Sequence, residues 1–298
     1  RSTLFPYTTL FRSPYSSTSG FGSIDNNAGE LVNRGIEIEL NTVNVRKKDF
    51  SWKTSFNITF LDNEVTELYG GLESIGNTVR VGYPLTIWYR PKYAGVNPAN
   101  GRPMWYDVNG NITYLIGAAD NVPTDRGWQS EYFGGLNNTF IYKGFELSTL
   151  LYFDMGRYMS NNQLLVLANV MNNPGRNSLQ DLYTKRWTTP GQITSVPRLI
   201  AGGAEFNSSS QQSSSTRFLE DASFIRLRDV TLAYKFSNNH LQKLGLTATR
   251  IYLTAINLYT WTRWTGYDPE FAIGGSVESN QGLVPQTRSF TAGIQVTL

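Results

Sequence analysis

The segment SWKTSFNITF, from Ser51 to Phe60, limits this chain's folding choices more than any other stretch. Trp52, Thr54, Phe56, Ile58 and Phe60 alternate with Ser51, Lys53, Ser55, Asn57 and Thr59. Side chains of an extended strand flip face at every residue, so one face is apolar but for a threonine and the other is polar throughout. Such a strand needs oil on one side and water on the other. Two architectures supply both: a soluble sandwich whose apolar faces pack together, or a transmembrane barrel with lipid outside and water within.

The same period recurs along the chain. In GIEIEL, Ile36, Ile38 and Leu40 oppose Glu37 and Glu39; in FELSTLLYFD, Phe145, Leu147, Leu151 and Phe153 oppose Glu146, Ser148 and Asp154; in SFTAGIQVTL, Phe290, Ala292, Ile294, Val296 and Leu298 share a face. With 16 Phe, 17 Tyr and 7 Trp, the composition favours strands joined by turns over packed helices. About nine strands are expected, at residues 33–43, 51–66, 80–90, 103–115, 130–142, 145–156, 222–236, 250–261 and 286–298. Within the seventh, the apolar phase slips between Leu227 and Val230, as one extra residue in a β-bulge would make it do.

Other classes drop out early. No run approaches the length of a membrane-spanning helix; even the mostly apolar Leu164 to Met171 is far too short. The net charge is +3, with 26 basic and 23 acidic residues dispersed, so there is no basic stripe for nucleic acid. Cysteine is absent, which excludes disulfides, thiolate metal sites and cysteine nucleophiles.

The connections sort by parity. Residues 44–50 and 143–144 are short and 91–102 and 237–249 moderate, whereas 116–129, 157–221 and 262–285 are longer and richer in Gly, Asn and Ser. Short turns at one end and long loops at the other is the asymmetry of outer-membrane barrels. Aromatics gather at predicted strand ends: Trp52, Tyr142 and Phe236 at the short-turn end, Tyr259, Trp261 and Trp264 at the other. Both patterns favour the barrel. Bacterial single-chain barrels use even strand counts, and an open sheet in lipid leaves edge groups unpaired, so a chain of nine strands is expected to be a fragment. The start, RSTLFPYTTLFRS, with its doubled TLF, looks like a translated sequencing-adapter scar; residues 1–13 are set aside on that ground, and residues 14–298 are read as the barrel portion.

Several stretches together resemble the C-terminal part of the SusC/RagA-type TonB-dependent outer-membrane transporters: NRGIEIELNT, DFSWKTSFNITFLDNEVTEL, YAGVNPANGRPMWYDVNG, GGLNNTFIYKGFELS, RFLEDASFIRLRDVTLAYKF and RIYLTAINLYTWTRWTGYDPEF, in the family's order. The resemblance implies an all-β, antiparallel transmembrane barrel of roughly 22 strands with a plugged lumen, in the outer membrane of a Bacteroidetes-like Gram-negative cell. It implies import of glycans or peptides with a SusD-like surface lipoprotein, energised by the TonB complex through a plug and TonB box that this sequence lacks. No enzyme activity or cofactor is expected. The rival is a secreted all-β carbohydrate-binding or glycan-hydrolysing module.

Candidate chemistry is sparse. One histidine, His240, cannot build a triad or a multi-histidine metal site. Asp268 and Glu270 in YDPEF mimic a glycosidase carboxylate pair but sit on loop positions that fix no separation. DVNGNI, Asp107 to Ile112, spaces oxygens like a calcium loop but lacks the EF-hand glycine and glutamate, and reads first as an Asn-Gly turn. Trp88, Tyr89, Trp105, Tyr106, Trp128 and Tyr132 are candidates to stack on sugars or clasp a peptide, with girdle or loop packing as the plainer role. The first four reach the substrate side only if residues 80–115 form an extracellular hairpin on one long loop. Lys53, Asn57, Arg226 and Arg228 are expected to face a wet lumen, since a charge at the bilayer midplane is costly. Leu164, Leu167 and Met171, and Leu179, Leu182 and Tyr183, carry helix-like spacing for short helices over the barrel mouth.

Overall fold

A computed structural model of the chain describes residues 7–14, 23–76, 78–168, 177, 179–199, 215–236, 248–270 and 284–297. In chain order the elements are β1 (Tyr7–Pro14), β2 (Ser23–Arg46), β3 (Phe50–Leu68), β4 (Ser74–Ile75), β5 (Val79–Arg80), β6 (Ile87–Arg90), β7 (Lys92–Val96), β8 (Pro103–Tyr106), β9 (Ile112–Thr113), β10 (Val122–Gly127), β11 (Tyr132–Tyr142), β12 (Phe145–Met155), β13 (Tyr158–Ser160), α1 (Asn162–Ala168), α2 (Gln180–Thr184), β14 (Leu219–Asp221), β15 (Phe224–Lys235), β16 (Ala248–Thr262) and β17 (Ser289–Thr297). Among the described residues no helix is long and apolar enough to cross a membrane.

Eight strands form one antiparallel meander in the order β1-β2-β3-β11-β12-β15-β16-β17. Its register aligns the alternating residues into rows. One row runs Leu40, Phe56, Leu136, Leu151, Leu227 and Tyr259; its neighbour runs Ile38, Ile58, Gly134, Phe153, Ile225 and Trp261. Toward the short turns lies Trp52, Phe140, Leu147, Leu232, Leu253 and Ala292. Nothing among the described residues covers this face: Ile38 is 49% exposed, Leu253 51% and Ile294 68%. The opposite face carries Glu39, Lys53, Asn57, Ser148, Thr231 and Thr254. A sandwich would bury these apolar rows beneath a second large sheet, and the other sheets among the described residues have only two or three short strands each.

Strand lengths fit the same reading. β11 and β12 have 11 residues each and β15 has 12, close to the 9–11 that cross a bilayer at the usual tilt. β3 has 19; its Phe50–Phe60 portion pairs with all of β11, and its remainder projects beyond. There Val65 and Leu68 bury against Val79, Leu31, Ile75 and Leu85. The turn between β11 and β12 is two residues, Lys143 (φ 45°) and Gly144 (φ 91°), the doubly positive pair that matches strand twist in a hairpin.

The phase slip in the seventh expected strand is a bulge. Against β12 the register jumps so that Leu150 faces Asp229 and Leu151 faces Leu227, leaving Arg228 unmatched. Against β16 it shifts again between Leu227 and Asp229, beside Asn257 at φ 54°. The distortion thus crosses two strand pairs.

Two expected sheet strands are corrected. Residues 80–90 and 103–115 are not part of the main sheet; they hold β6, β8, β9 and the end of β5, short strands in small separate sheets. All of 69–131 is one connection between β3 and β11, so 91–102 belongs with the long loops, not with the short turns. The main sheet contains the other seven expected strands and an edge strand, β1, which pairs with β2 and takes in residues 7–13 of the stretch read as a scar. Trp264 is no girdle residue: it buries with Met159 and Ala222. The other named aromatics do band the apolar face, with Trp52 stacked on Phe140 at 5.5 Å and Tyr259 edge-on to Trp261 at 4.8 Å.

Candidate functional site

Three long connections, 69–131, 156–223 and 263–288, leave the same end of the sheet and lock together there. Between the first and second, Tyr93 N donates to Thr216 Oγ1 (2.9 Å), Thr216 N to the Pro91 carbonyl (3.1 Å) and Trp88 Nε1 to the Tyr158 carbonyl (2.7 Å). Trp187 Nε1 donates to the Pro98 carbonyl at 2.9 Å, and its ring lies on Gly101, whose φ of 72° and missing Cβ make the approach feasible. Between the second and third, Asn161 Nδ2 reaches Glu220 Oε1 (3.2 Å) and Thr265 Oγ1 (3.0 Å), while its Oδ1 accepts from Leu164 N at the start of α1 (2.9 Å). Leu182 of α2 packs with Val196 and Phe218, and Leu164 and Leu165 lie against them. The expected short helices are therefore packing elements; Met171 and His240 lie outside the described residues.

The third connection is tied to the sheet by charge. Arg226, 2% exposed, donates from Nη2 to Asp268 Oδ1 and from Nη1 to Glu270 Oε2, each at 2.6 Å, and from Nε to Thr260 Oγ1 at 2.9 Å. Arg228, the bulge residue, also donates to Glu270 and lies 4.3 Å over the Tyr152 ring. Asp268 accepts from Glu270 N and Gln286 N, both at 2.9 Å, so it holds both stems of the connection. Each carboxylate of YDPEF is committed to a guanidinium. That removes the pair from acid–base work, which needs one free acid and one free base.

The other sequence-chosen residues separate. Trp105 (1% exposed), Trp88 (4%) and Tyr89 (7%) are interior to the interlocked connections; Trp105 packs edge-on to Tyr93 at 6.1 Å. Their rings have no open face for a ligand. Tyr106 and Trp128 are exposed. Tyr132 lies on the apolar sheet face, 5.7 Å from Phe60. Lys53 and Asn57 lie on the polar face, where Asn57 Oδ1 accepts from Gly135 N at 2.6 Å, and Arg226 and Arg228 stand near its long-loop end. The DVNGNI segment is a hairpin: Asp107 Oδ1 accepts from Asn109 N (2.9 Å) and Asn111 N (2.8 Å), with Gly110 at φ 84°. Those bonds, Asn111's backbone N–H first, hold the Asp107 carboxyl below its usual range. Burial pushes the Tyr93 phenol up and the neighbouring Arg217 guanidinium down. Sequence reasoning missed the Arg226–Asp268 tie, because nothing local marks a pair set 42 residues apart.

A sheet with one uncovered apolar face, one polar face and interlocked loops at one end is a sector of a transmembrane β-barrel. Known proteins agree. No family model matches the chain, but TonB-dependent receptor P3 of Formosa agariphila is 27% identical over 96% of this chain and 31% of its own length. TonB-dependent receptor SusC of Bacteroides thetaiotaomicron is 28% identical over 91% of this chain and 27% of its own. The RagAB peptide transporter superposes with a TM-score of 0.82 at 27% identity, covering 97% of this chain and 32% of that one; the open-open RagAB peptide importer gives 0.80 at 28%. The chain is thus a relative of the SusC- and RagA-type TonB-dependent receptors, which are outer-membrane proteins and not enzymes, and it spans about a third of the length of the relatives it matches.

Proposed function

We propose that residues 14–298 form the C-terminal sector of the barrel of an outer-membrane, TonB-dependent importer of nutrient oligomers. The observation that carries this reading is the uncovered apolar face, strand for strand opposite a polar one, in a sheet that superposes on the RagAB transporter. Lipid meets the first face. The second lines the lumen, with Lys53, Asn57, Arg226 and Arg228 on the water side. The long connections face outward from the cell and the Lys143–Gly144 turn faces the periplasm. A plug and TonB-contacting segment, carried elsewhere in the receptor, couple import to the TonB complex.

The locked connections make a fixed platform at the barrel mouth, and a SusD-like lipoprotein closes over it. Exposed residues on that platform, Tyr106 and Trp128 among the original aromatics, are the ones free to touch cargo or lid. The likeness to a peptide importer favours oligopeptides over glycans as cargo. The test is uptake of a fluorescent oligopeptide and a fluorescent oligosaccharide by cells with and without the intact receptor. Receptor-dependent, TonB-dependent accumulation of the peptide supports the reading; accumulation indifferent to the receptor refutes import, and oligosaccharide uptake alone reassigns the cargo.

A further inference from the structure

We infer that a basic rim at the short-turn end of the sheet binds phospholipids of net negative charge in the periplasmic leaflet. Backbone bonds hold the rim together: Lys143 N donates to the Asp49 carbonyl at 3.1 Å, and Lys235 N to the Gly144 carbonyl at 2.8 Å. Those bonds set the β2–β3 turn, the β11–β12 turn and the end of β15 side by side, across the consecutive strands β3, β11, β12 and β15. At about 4.8 Å per strand the row spans roughly 15 Å. Arg46, Lys47, Lys48, Lys143 and Lys235 are exposed along it. Asp49 is the acid in these turns, and Glu146 nearby is taken by Arg250 at 3.1 Å. Among the described residues no carboxylate pairs with Lys47, Lys48 or Lys235. Residues 237–247, which join β15 to β16, add Lys243 and no acid.

Position and charge select the occupant. The rim lies directly beyond the aromatic belt that ends the apolar face, where Trp52 stacks on Phe140 at 5.5 Å and Phe145 meets Tyr234 at 4.6 Å. Lys143 Nζ stands 5.3 Å from the centroid of the Tyr142 ring, and Tyr142, 51% exposed, pairs with Phe50 and Phe145 in that belt. A lysine stem laid along a belt ring puts its ammonium at headgroup depth, beside lipid phosphates. The ammonium offers them a point charge and three donors. A zwitterionic lipid brings its own cation to a row that has almost no carboxylate to receive it, whereas a net anionic lipid brings none. Like charges separated by no more than about two Debye lengths act together on a charged leaflet.

This rests on the membrane reading above, and the test separates the two. The intact receptor is placed in nanodiscs of phosphatidylethanolamine with a minority of phosphatidylglycerol, and the lipid retained after release is counted by native mass spectrometry. The expected result is retention of phosphatidylglycerol about threefold above its share of the disc. The preference should vanish in a combined Lys47→Gln, Lys48→Gln, Lys143→Asn, Lys235→Gln variant, where Asn suits the positive φ at 143, and persist when the same four lysines become arginine. Entry into discs with no preference, a preference unchanged in the neutral variant, one lost equally in the arginine variant, or lipopolysaccharide held at the rim instead overturns the lipid rim alone. Failure to enter the discs overturns the membrane reading as well.

Discussion

Arg226 and Asp268 meet at 2.6 Å with side chains only 2% and 4% exposed, although one is in a strand and the other in a loop. Removing one member of a buried pair leaves the other charge unpaired in a poor solvent, at a cost of about 3–5 kcal/mol. Arg226→Met is therefore expected to release the third connection and lower the melting temperature of the intact receptor in detergent. Arg228 and Glu270 are 33% and 25% exposed, and solvent screening limits such a pair to about 0–1 kcal/mol. Arg228→Gln should change the melting temperature little. Equal effects from both variants would sink the distinction.

Gly134 and Gly135 are neighbours with opposite tolerances. A Cβ on Gly134 would run into the Asn57 carbonyl oxygen and come within 2.8 Å of the Phe153 ring, whereas one on Gly135 would meet nothing nearer than 3.4 Å. Gly134→Ala should destabilise by about 1–3 kcal/mol through overpacking. Gly135→Ala should be neutral or stabilise by up to about 1 kcal/mol. Paired thermal unfolding curves decide it.

The Asp107 hairpin should depend on pH in one direction. Its carboxyl is held below the usual value of 3.8 by N–H donors that need the ionised form. A depressed folded pKa contributes stability that is present above the unfolded value and lost as pH falls through the folded one. Hydrogen-exchange protection at Asn109 and Asn111 should stay level down to about pH 4 and drop below it. Asp107→Asn should remove that drop.

The aromatics divide by burial. Trp105→Ala should cost about 3–5 kcal/mol, the usual loss for a buried large aromatic. Tyr106→Ala and Trp128→Ala should leave stability within about 0.5 kcal/mol while weakening cargo binding. Unchanged affinity in both surface variants, measured by titration calorimetry, would remove them from the cargo path.

The main strands were legible because a wall with oil on one side and water on the other writes period 2 directly into Ser51–Phe60, Gly35–Leu40 and Phe145–Met155. Even the bulge showed, as a slip of phase between Leu227 and Val230. Residues 80–90 and 103–115 misled for a physical reason: Trp88, Tyr89 and Trp105 fill a small core among the connections, and a short aromatic-rich buried strand in a loop leaves the same mark as a lipid-facing one. The charged tie could not be read at all. Arg226 and Asp268 look like any lumen arginine and any loop aspartate until the fold brings them together. The carboxylates of YDPEF carried a catalytic pattern whose partners were invisible in one dimension.

A cysteine scan of Ser51–Phe60 in the intact receptor tests the membrane wall most directly, since this chain has no cysteine of its own. Spin labels placed by Phe56→Cys, Ile58→Cys, Lys53→Cys and Ser55→Cys are read by electron paramagnetic resonance for collision with oxygen, which dissolves in lipid, and with a nickel chelate, which does not. Positions 56 and 58 are expected to favour oxygen while 53 and 55 favour nickel, residue by residue. Labels that all favour nickel, or that show no alternation, would contradict a membrane wall.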